Sequence, residues 1–494
     1  LVNNFSTIFK KQRFICRKRT PACGFFLYFK ILILNMVSVG IDDMAFYAPK
    51  IYLDISELAT ARQIAVEKLR DGLGLHKMAL PDAHEDAATM AAEVIYELIT
   101  RNNIDPNTIG RIYLGTESAL DMAKPTATYA MGMVQERLKG KYGNDCFRHC
   151  DVLDMTFACI AATDALLNTL DWVAAQPNRI GIVIASDIAK YELESSGEYT
   201  QGAGAVALLV KSNPRLLKIK PVVGIATESV HDFYKPRREI FTETPVFDGQ
   251  YSNQCYQDRM TEALQHFRVQ AEHSGLMKPE QNPALSERWA RMIFHLPYAF
   301  HAKRMFTEPF IAERKAKGAW DGDVKKYGFK EPVRSDFEDQ KSFSKAQAGF
   351  VKSVSESTLY KQFVAQKLEK AQRASSEMGN LYTASVFLAL MSTLESDLTE
   401  GIELAGKRFG FVAYGSGSKA KVFEATVAAE WRAVTTHFEV FKKINDRKAI
   451  SYQIYHDLHT GTQSLAYAPV KGRWGLTAVG TEGVTIGARY YGMI

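Results

Sequence analysis

The chain has 494 residues, 46% hydrophobic and 23% charged, a composition that excludes fibrous and low-complexity classes and suits two domains or two fused halves sharing a core. Its formal charge of +6 is concentrated in the first 35 residues, which hold seven Lys or Arg and no acid; the remainder carries 54 basic against 55 acidic residues and is not built to grip nucleic acid. Six irregularly spaced cysteines exclude a disulfide framework and fit a reducing compartment.

In residues 1–35 a basic region precedes the apolar run Cys23 to Leu34, which Lys30 interrupts and which is too short to span a bilayer. No small-x-small cleavage site follows. Met36-Val37-Ser38-Val39-Gly40-Ile41 leads straight into a strand, so residues 1–35 are expected to be an extension outside the fold, with a targeting segment as the alternative.

Val37 to Tyr47 reads as a strand, and Asp54 or Ser56 caps a helix running to about Arg70 before a Gly72-Leu73-Gly74 turn. A helix from about Glu85 to Arg101 precedes the short strand Arg111 to Gly115. Another helix covers about Thr126 to Leu138. From Asp154 an apolar strand turns at Cys159 into a helix with apolar residues on every side, a pattern that buries it in a large core. Ile180 to Ser186 and Gly202 to Val210 are apolar throughout. Strands of that kind alternating with helices predict an α/β fold with a covered sheet.

The second half opens with a strand around Pro221 to Ile225 and contains helices near 255–272, 301–316 and 343–377, the last charged and expected to face solvent. Trp320 to Asp339, with Gly, Pro and mixed charge, is the expected long surface loop. Gly379-Asn380-Leu381-Tyr382-Thr383 opens an apolar helix, followed by a strand from Phe409 to Tyr414. Strand, helix and strand around Cys159 thus have a counterpart around Asn380, which suggests a duplicated architecture without a residue-level repeat. The expected halves are 36–210 and 211–494.

A cysteine on the first turn of a helix faces unpaired backbone N–H groups and the positive end of the dipole, so Cys159 is expected to favour thiolate; the alternative is a small buried hydrophobe. Glu117, just past a strand end, suits a base facing a crevice, or is a solvated loop acid. His295 ends another strand, as a site residue or a satisfied core histidine. Asn380 and Ser416 stand beside glycines where a backbone can approach a ligand, or serve turns. Cys146-x3-Cys150 and His456-x2-His459 each lack the further ligands that a metal site needs.

Several motifs together resemble the 3-hydroxy-3-methylglutaryl-CoA (HMG-CoA) synthase family: Thr116-Glu117-Ser118 with Asp121 and Lys124, the Ala158-Cys159 turn, Ser186-Asp187-Ile188-Ala189, His231-Asp232-Phe233-Tyr234-Lys235-Pro236, Phe294-His295-x-Pro297-Tyr298, Gly379 to Thr383, and Tyr414-Gly415-Ser416-Gly417. They occur in the family's order and cover 36–494. The resemblance implies a thiolase-like fold of five layers, αβαβα, built from two similar halves, in a cytoplasmic homodimer. It implies condensation of acetyl-CoA with acetoacetyl-CoA to give HMG-CoA for the mevalonate pathway, with no metal or other cofactor and neither nucleic acid nor membrane as partner. Cys159 would carry the acetyl group, Glu117 would remove its methyl proton, and His295 would anchor the acetoacetyl group. Asp187, Asp232, Asn380, Tyr382 and Ser416 match positions that shape or polarise the acyl site. Lys68, Thr200 and Ser252 match CoA or acyl contacts, and Lys303 and Arg304 would meet the CoA phosphates.

The chain departs from the family's pattern in three places. Ile160-Ala161-Ala162 replaces an aromatic and two glycines, Phe300 stands where a lysine is usual, with His301 beside it, and Ala65 replaces an acid found in some members. A synthase of the same fold that acts on carrier-protein-bound β-ketoacyl chains would use the same Cys, Glu and His. A Cys-His hydrolase would instead require His295 within hydrogen-bond reach of Cys159.

Overall fold

A computed structural model describes residues 38–236, 244–278 and 284–494. The expectation for residues 1–35 therefore lies outside the described residues. Val39 to Ile494 forms one compact unit.

The first half contains β1 (Val39–Tyr47), β2 (Ile51–Asp54), α1 (Ile55–Ala61), α2 (Val66–Leu73), β3 (Lys77–Leu80), α3 (Ala87–Arg101), β4 (Ile109–Gly115), α4 (Thr126–Tyr142), β5 (Asp151–Met155), α5 (Ala161–Ala175), β6 (Ile180–Ala189) and β7 (Gly202–Ser212). In the second, β8 (Leu217–Thr227) leads through a small ribbon, β9 (Phe233–Tyr234) with β10 (Val246–Phe247), to α6 (Gly249–His273) and β11 (Arg291–Phe294). There follow α7 (His301–Met305), α8 (Thr307–Ala316), α9 (Trp320–Tyr327), α10 (Gln340–Glu356), α11 (Thr358–Lys367), α12 (Glu369–Met378), α13 (Ser385–Thr399), β12 (Arg408–Gly415) and β13 (Lys419–Val427).

One sheet runs β11-β12-β13-β8-β1-β7-β6-β4-β5. Its two sides repeat. In the first half β1 pairs antiparallel with β7, β7 antiparallel with β6, and β6 parallel with β4. In the second, β8 pairs antiparallel with β13, β13 antiparallel with β12, and β12 parallel with β11. The duplication is thus topological. The halves meet where Gly40 and Ile41 pair with Lys218 and Leu217.

Burial explains the apolar strands: Ile182 to Ala185 and Ala203 to Val210 are almost wholly inaccessible, and α5 and α13 are buried on most of their faces. Each half places a non-glycine residue with positive φ beside its central buried helix, Ala158 (φ 42°) before α5 and Tyr382 (φ 44°) before α13. That backbone costs about 1 kcal/mol per residue. It turns the chain sharply from β5 into α5 at Ala158 and from α12 into α13 at Tyr382, and Cys159 and Tyr382 face one cavity.

Four expected elements differ. The single helix to Arg70 is two, because Arg62 to Ala65 leaves helical geometry at Gln63 (φ 52°). The 301–316 helix is likewise divided at Phe306. The 343–377 helix is three, interrupted at Ser357, whose extended backbone caps α11, and at Leu368. Its last segment, α12, is buried rather than solvent-facing, with Lys370 neutralised by Asp397 and Glu400. Finally, the expected loop from Trp320 folds as α9, because Trp320 stacks on Phe329 at 5.5 Å and buries itself with Phe350.

Beyond β13, β14 (Lys448–Ile450) joins β2 and β3, and the hairpin β15 (Trp474–Val479) with β16 (Arg489–Met493) lies against α3.

Candidate active site

The residues singled out in the sequence gather at the C-terminal ends of strands. Glu117 follows β4, Cys159 follows β5, Asp187 lies near the end of β6, His295 follows β11 and Ser416 follows β12. Ligand crevices of α/β sheets open at such ends. Close packing of β4 on α5 sets the spacing: a Cβ at Gly115 would lie 2.2 Å from the backbone nitrogen of Ala162, so only glycine lets the Glu117 loop come this near the Cys159 turn.

The Cys159 thiol donates to Oε1 of Glu117 at 2.8 Å. Cys159 precedes Ile160, the N-terminal cap of α5, and so lies ahead of the helix's first turn. Burial and the Glu117 carboxylate push its thiol well above the ordinary range. The expectation of a dipole-stabilised thiolate is therefore corrected: the free site holds a neutral thiol bound to a carboxylate. Burial also pushes the Glu117 carboxyl up to about 7, opposed in part by Lys235. His295 is 2% exposed, and burial alone pulls its imidazole down to about 3, so it is neutral at physiological pH. Its amide donates to Val412 O at 2.9 Å, its carbonyl accepts from the Tyr256 hydroxyl at 3.0 Å, and its Nδ1 has no hydrogen-bond partner among the described residues.

Cys159 and His295 open onto a cavity of about 610 Å³. Thr200, Ser252, Arg304, Asn380, Tyr382 and Ser416 line it as well. Tyr191, Phe233, Phe247 and Tyr382 form an aromatic wall beside Cys159, with ring centroids 5.3 to 6.3 Å apart. The Asn380 amide donates to Thr200 O at 2.8 Å, and Asn380 Oδ1 accepts from the Tyr382 amide at 2.9 Å.

Four of the residues placed in the acyl or CoA site do not line it. Asp187 is fully buried beneath the Glu117 loop, accepting from the Thr116 hydroxyl (2.8 Å), the Glu117 amide (2.7 Å), the Ser118 hydroxyl (3.0 Å) and both the amide and hydroxyl of Thr383. Asp232 is also fully buried and accepts from Tyr414 Oη (2.8 Å), the Gly417 amide (2.7 Å) and the Ser252 hydroxyl (3.3 Å). Both organise the walls from behind. Lys68 is exposed on α2, and Lys303 lays its ammonium 3.1 Å from the Phe300 ring centroid. Arg304 alone of the expected phosphate-binding cations lines the cavity, beside Leu73.

Sequence reasoning missed Tyr191, Phe247, Tyr256 and His301 in the lining. Tyr256 sits mid-helix in α6 and gave no local signal; only the fold brings it against His295, with ring centroids 6.3 Å apart. Among the described residues no group of three His, Cys, Asp or Glu side chains is placed to hold a metal ion, and no helix is long and apolar enough to cross a membrane.

The mirrored strand order, with a buried helix leaving the sheet at a cysteine turn, places the chain in the thiolase-like class. Family models described as hydroxymethylglutaryl-coenzyme A synthase N terminal and C terminal match residues 36–214 and 220–463. A hydroxymethylglutaryl-CoA synthase of Haloferax volcanii is 33% identical over 430 residues, covering 86% of this chain and 92% of the relative. One from Enterococcus faecalis is 30% identical over 397 residues, covering 80% and 85%. Among solved structures, MvaS in complex with 3-hydroxy-3-methylglutaryl coenzyme A superposes with a TM-score of 0.75 at 27% identity, covering 92% of this chain and 99% of MvaS. The HMG synthase of the curacin biosynthetic pathway, solved with an acetyl donor carrier protein, shares the fold at a TM-score of 0.69 and 21% identity, covering 92% of this chain and 100% of its own. The chain belongs to the hydroxymethylglutaryl-CoA synthase family, whose members are acyltransferases.

Proposed function

We propose that the chain condenses acetyl-CoA with acetoacetyl-CoA and water to give HMG-CoA and CoA through an acetyl-Cys159 intermediate. The observation that carries this reading is the Cys159 thiol held 2.8 Å from Glu117 at the wall of a cavity that His295 shares. Cys159 passes its proton to Glu117 and attacks the acetyl-CoA thioester, and CoA leaves as the thiol. Glu117, again ionised, removes a proton from the acetyl methyl; the carbanion attacks the ketone carbon of acetoacetyl-CoA, and protonated Glu117 returns its proton to the new alkoxide. Neutral His295 donates to the ketone oxygen without carrying a charge into the buried site. Water then hydrolyses the Cys159 thioester. The steps require neither metal nor redox cofactor.

A Cys-His hydrolase would pair the thiol with His295, whereas here the thiol pairs with Glu117. The choice of CoA over a carrier protein is supported by relatives more than 25% identical, including MvaS bound to 3-hydroxy-3-methylglutaryl coenzyme A; the carrier-bound structure is similar only in fold. Arg304 at the cavity wall suits a phosphorylated carrier group. Supply of HMG-CoA to the mevalonate pathway by a cytoplasmic homodimer completes the reading. It is tested by comparing kcat/KM for acetoacetyl-CoA with that for acetoacetyl thioester on a carrier protein. Preference for the CoA form is expected, and preference for the carrier form would overturn it.

A further inference from the structure

The ribbon that supplies half of the aromatic wall is small. β9 and β10 pair only through Tyr234 with Val246 and Phe233 with Phe247, and a two-stranded ribbon of this size is not stable alone. Its base is tied down by the Asp248 amide on Asp232 O at 3.3 Å. One residue past β9, Lys235 reaches across to the other side of the site: its ammonium donates to the main-chain carbonyl of Glu117 at 3.0 Å and lies 5.0 Å from the ring centroid of Tyr382. One side chain thus joins the ribbon, the loop that carries the base, and the Tyr382 wall.

We propose that Lys235 is a positioning residue that pins the Phe233–Phe247 ribbon onto the Glu117 loop, aiming the carboxylate at the acyl group on Cys159 while the ribbon shields that thioester from water. The inference rests on the acetyl-Cys159 reading and concerns the fate of that intermediate. An acetyl thioester next to a carboxylate has two exits, attack by water and loss of a methyl proton toward condensation. The first needs water beside the thioester; the second needs the carboxylate held over the methyl group. A pin between the ribbon and the main chain of Glu117 disfavours the first exit and favours the second.

Lys235 also contributes charge. The groups that act on Glu117 are Asp187 from β6, Cys159 from the turn before α5, and Lys235; Glu117 in turn bears on Tyr191 and Tyr382. Asp187 makes the Glu117 carboxyl harder to ionise, while the Cys159 thiol and Lys235 make it easier, and Lys235 is the cation in that set. Removing the ammonium therefore moves the acid limb of the condensation to higher pH.

The test follows acetylated enzyme in wild type and in K235M, K235Q and K235R. For K235M the expected result is Cys159 acetylation within about threefold of wild type, condensation reduced on the order of tenfold or more as a charge-assisted hydrogen bond is lost, a larger hydrolysed fraction of acetyl-enzyme, and an acid limb at higher pH. K235R restores both the partition and the limb. K235Q, which keeps a donor but no charge, restores the partition better than the limb, and it provides the readout should K235M not fold. An unchanged ratio of condensation to hydrolysis in K235M, an acid limb that does not move in K235Q, or a K235R enzyme no better than K235M, overturns the proposal. Failure of the wild type to acetylate at all would overturn the acetyl-Cys159 reading instead.

Discussion

At the scale of single residues, the site is a neutral thiol hydrogen-bonded to a carboxylate. The Cys159 thiol and the Glu117 carboxylate share one proton in surroundings that penalise charge on either. Replacing Glu117 with alanine removes the acceptor for the thiol proton but also the negative charge that holds the thiol up. Acetylation of Cys159 in E117A is therefore expected within about tenfold of wild type, while condensation falls by about 10³-fold, the size of a lost general base. Rapid-quench measurement of the two half-reactions checks this, and an equal loss in both would contradict the assignment. The pH dependence has a definite sign. Glu117 must be ionised to accept the methyl proton, so the condensation rate should rise with pH through a midpoint near 7. His295, pulled down to about 3, should contribute no titration between pH 5 and 9. A limb that disappears in H295Q but persists in E117D would reverse the two roles.

At the scale of elements, the loops after the strands are held by buried acids whose side chains never reach the cavity. Asp187 receives five donors from the Glu117 loop and from Thr383. D187A should lower stability by about 3 to 5 kcal/mol through unsatisfied donors, seen in urea unfolding, and condensation should fall with it as Glu117 loses its support. The C-terminus of α2 makes a second case. Gly74 has φ 75°, and a Cβ there would stand 2.6 Å from the Phe300 ring. G74A is expected to cost about 1 to 2 kcal/mol and to raise KM for CoA thioesters, because Phe300 leads into α7, which carries His301 and Arg304 to the cavity. The Phe300 ring thus serves the contact with the end of α2. Apolar strands, the Cys159 turn and the strand ends at Glu117 and His295 were legible because each depends on local pattern. The helix breaks at Gln63 and Leu368 were not, having no glycine or proline to mark them, nor was the folding of Trp320 into α9, which depends on how its ring packs on Phe329 and Phe350. Nor was the thiol's protonation, because helix-end chemistry is local whereas the desolvation that outweighs it comes from the assembled walls.

At the scale of the whole molecule, two halves with the same strand order each bring residues to a shared cavity, Cys159 with Glu117 hydrogen-bonded behind it from one side and His295, Asn380 and Ser416 from the other. The family models end at residue 463, yet the chain continues into the β15–β16 hairpin. There Trp474 is 4% exposed, its ring 5.6 Å from Tyr96; Arg473 pairs with Glu93, and Tyr491 donates to Asp86 at 2.7 Å. Truncation after residue 463 should therefore destabilise the fold by about 3 to 5 kcal/mol from lost aromatic burial and hydrogen bonds, leaving kcat near wild type at low temperature. A truncated chain with unchanged urea midpoint would show the hairpin to be unimportant for stability. The central claim is that Cys159 carries the acetyl group between two chemical steps. Mass spectrometry of the enzyme incubated with acetyl-CoA alone, digested and then compared with a sample chased by acetoacetyl-CoA, tests it most directly. One acetyl group on the peptide containing Cys159, lost on the chase as HMG-CoA forms, is the predicted result; an unmodified Cys159, an acetyl group elsewhere, or release of acetate alone on the chase would contradict it.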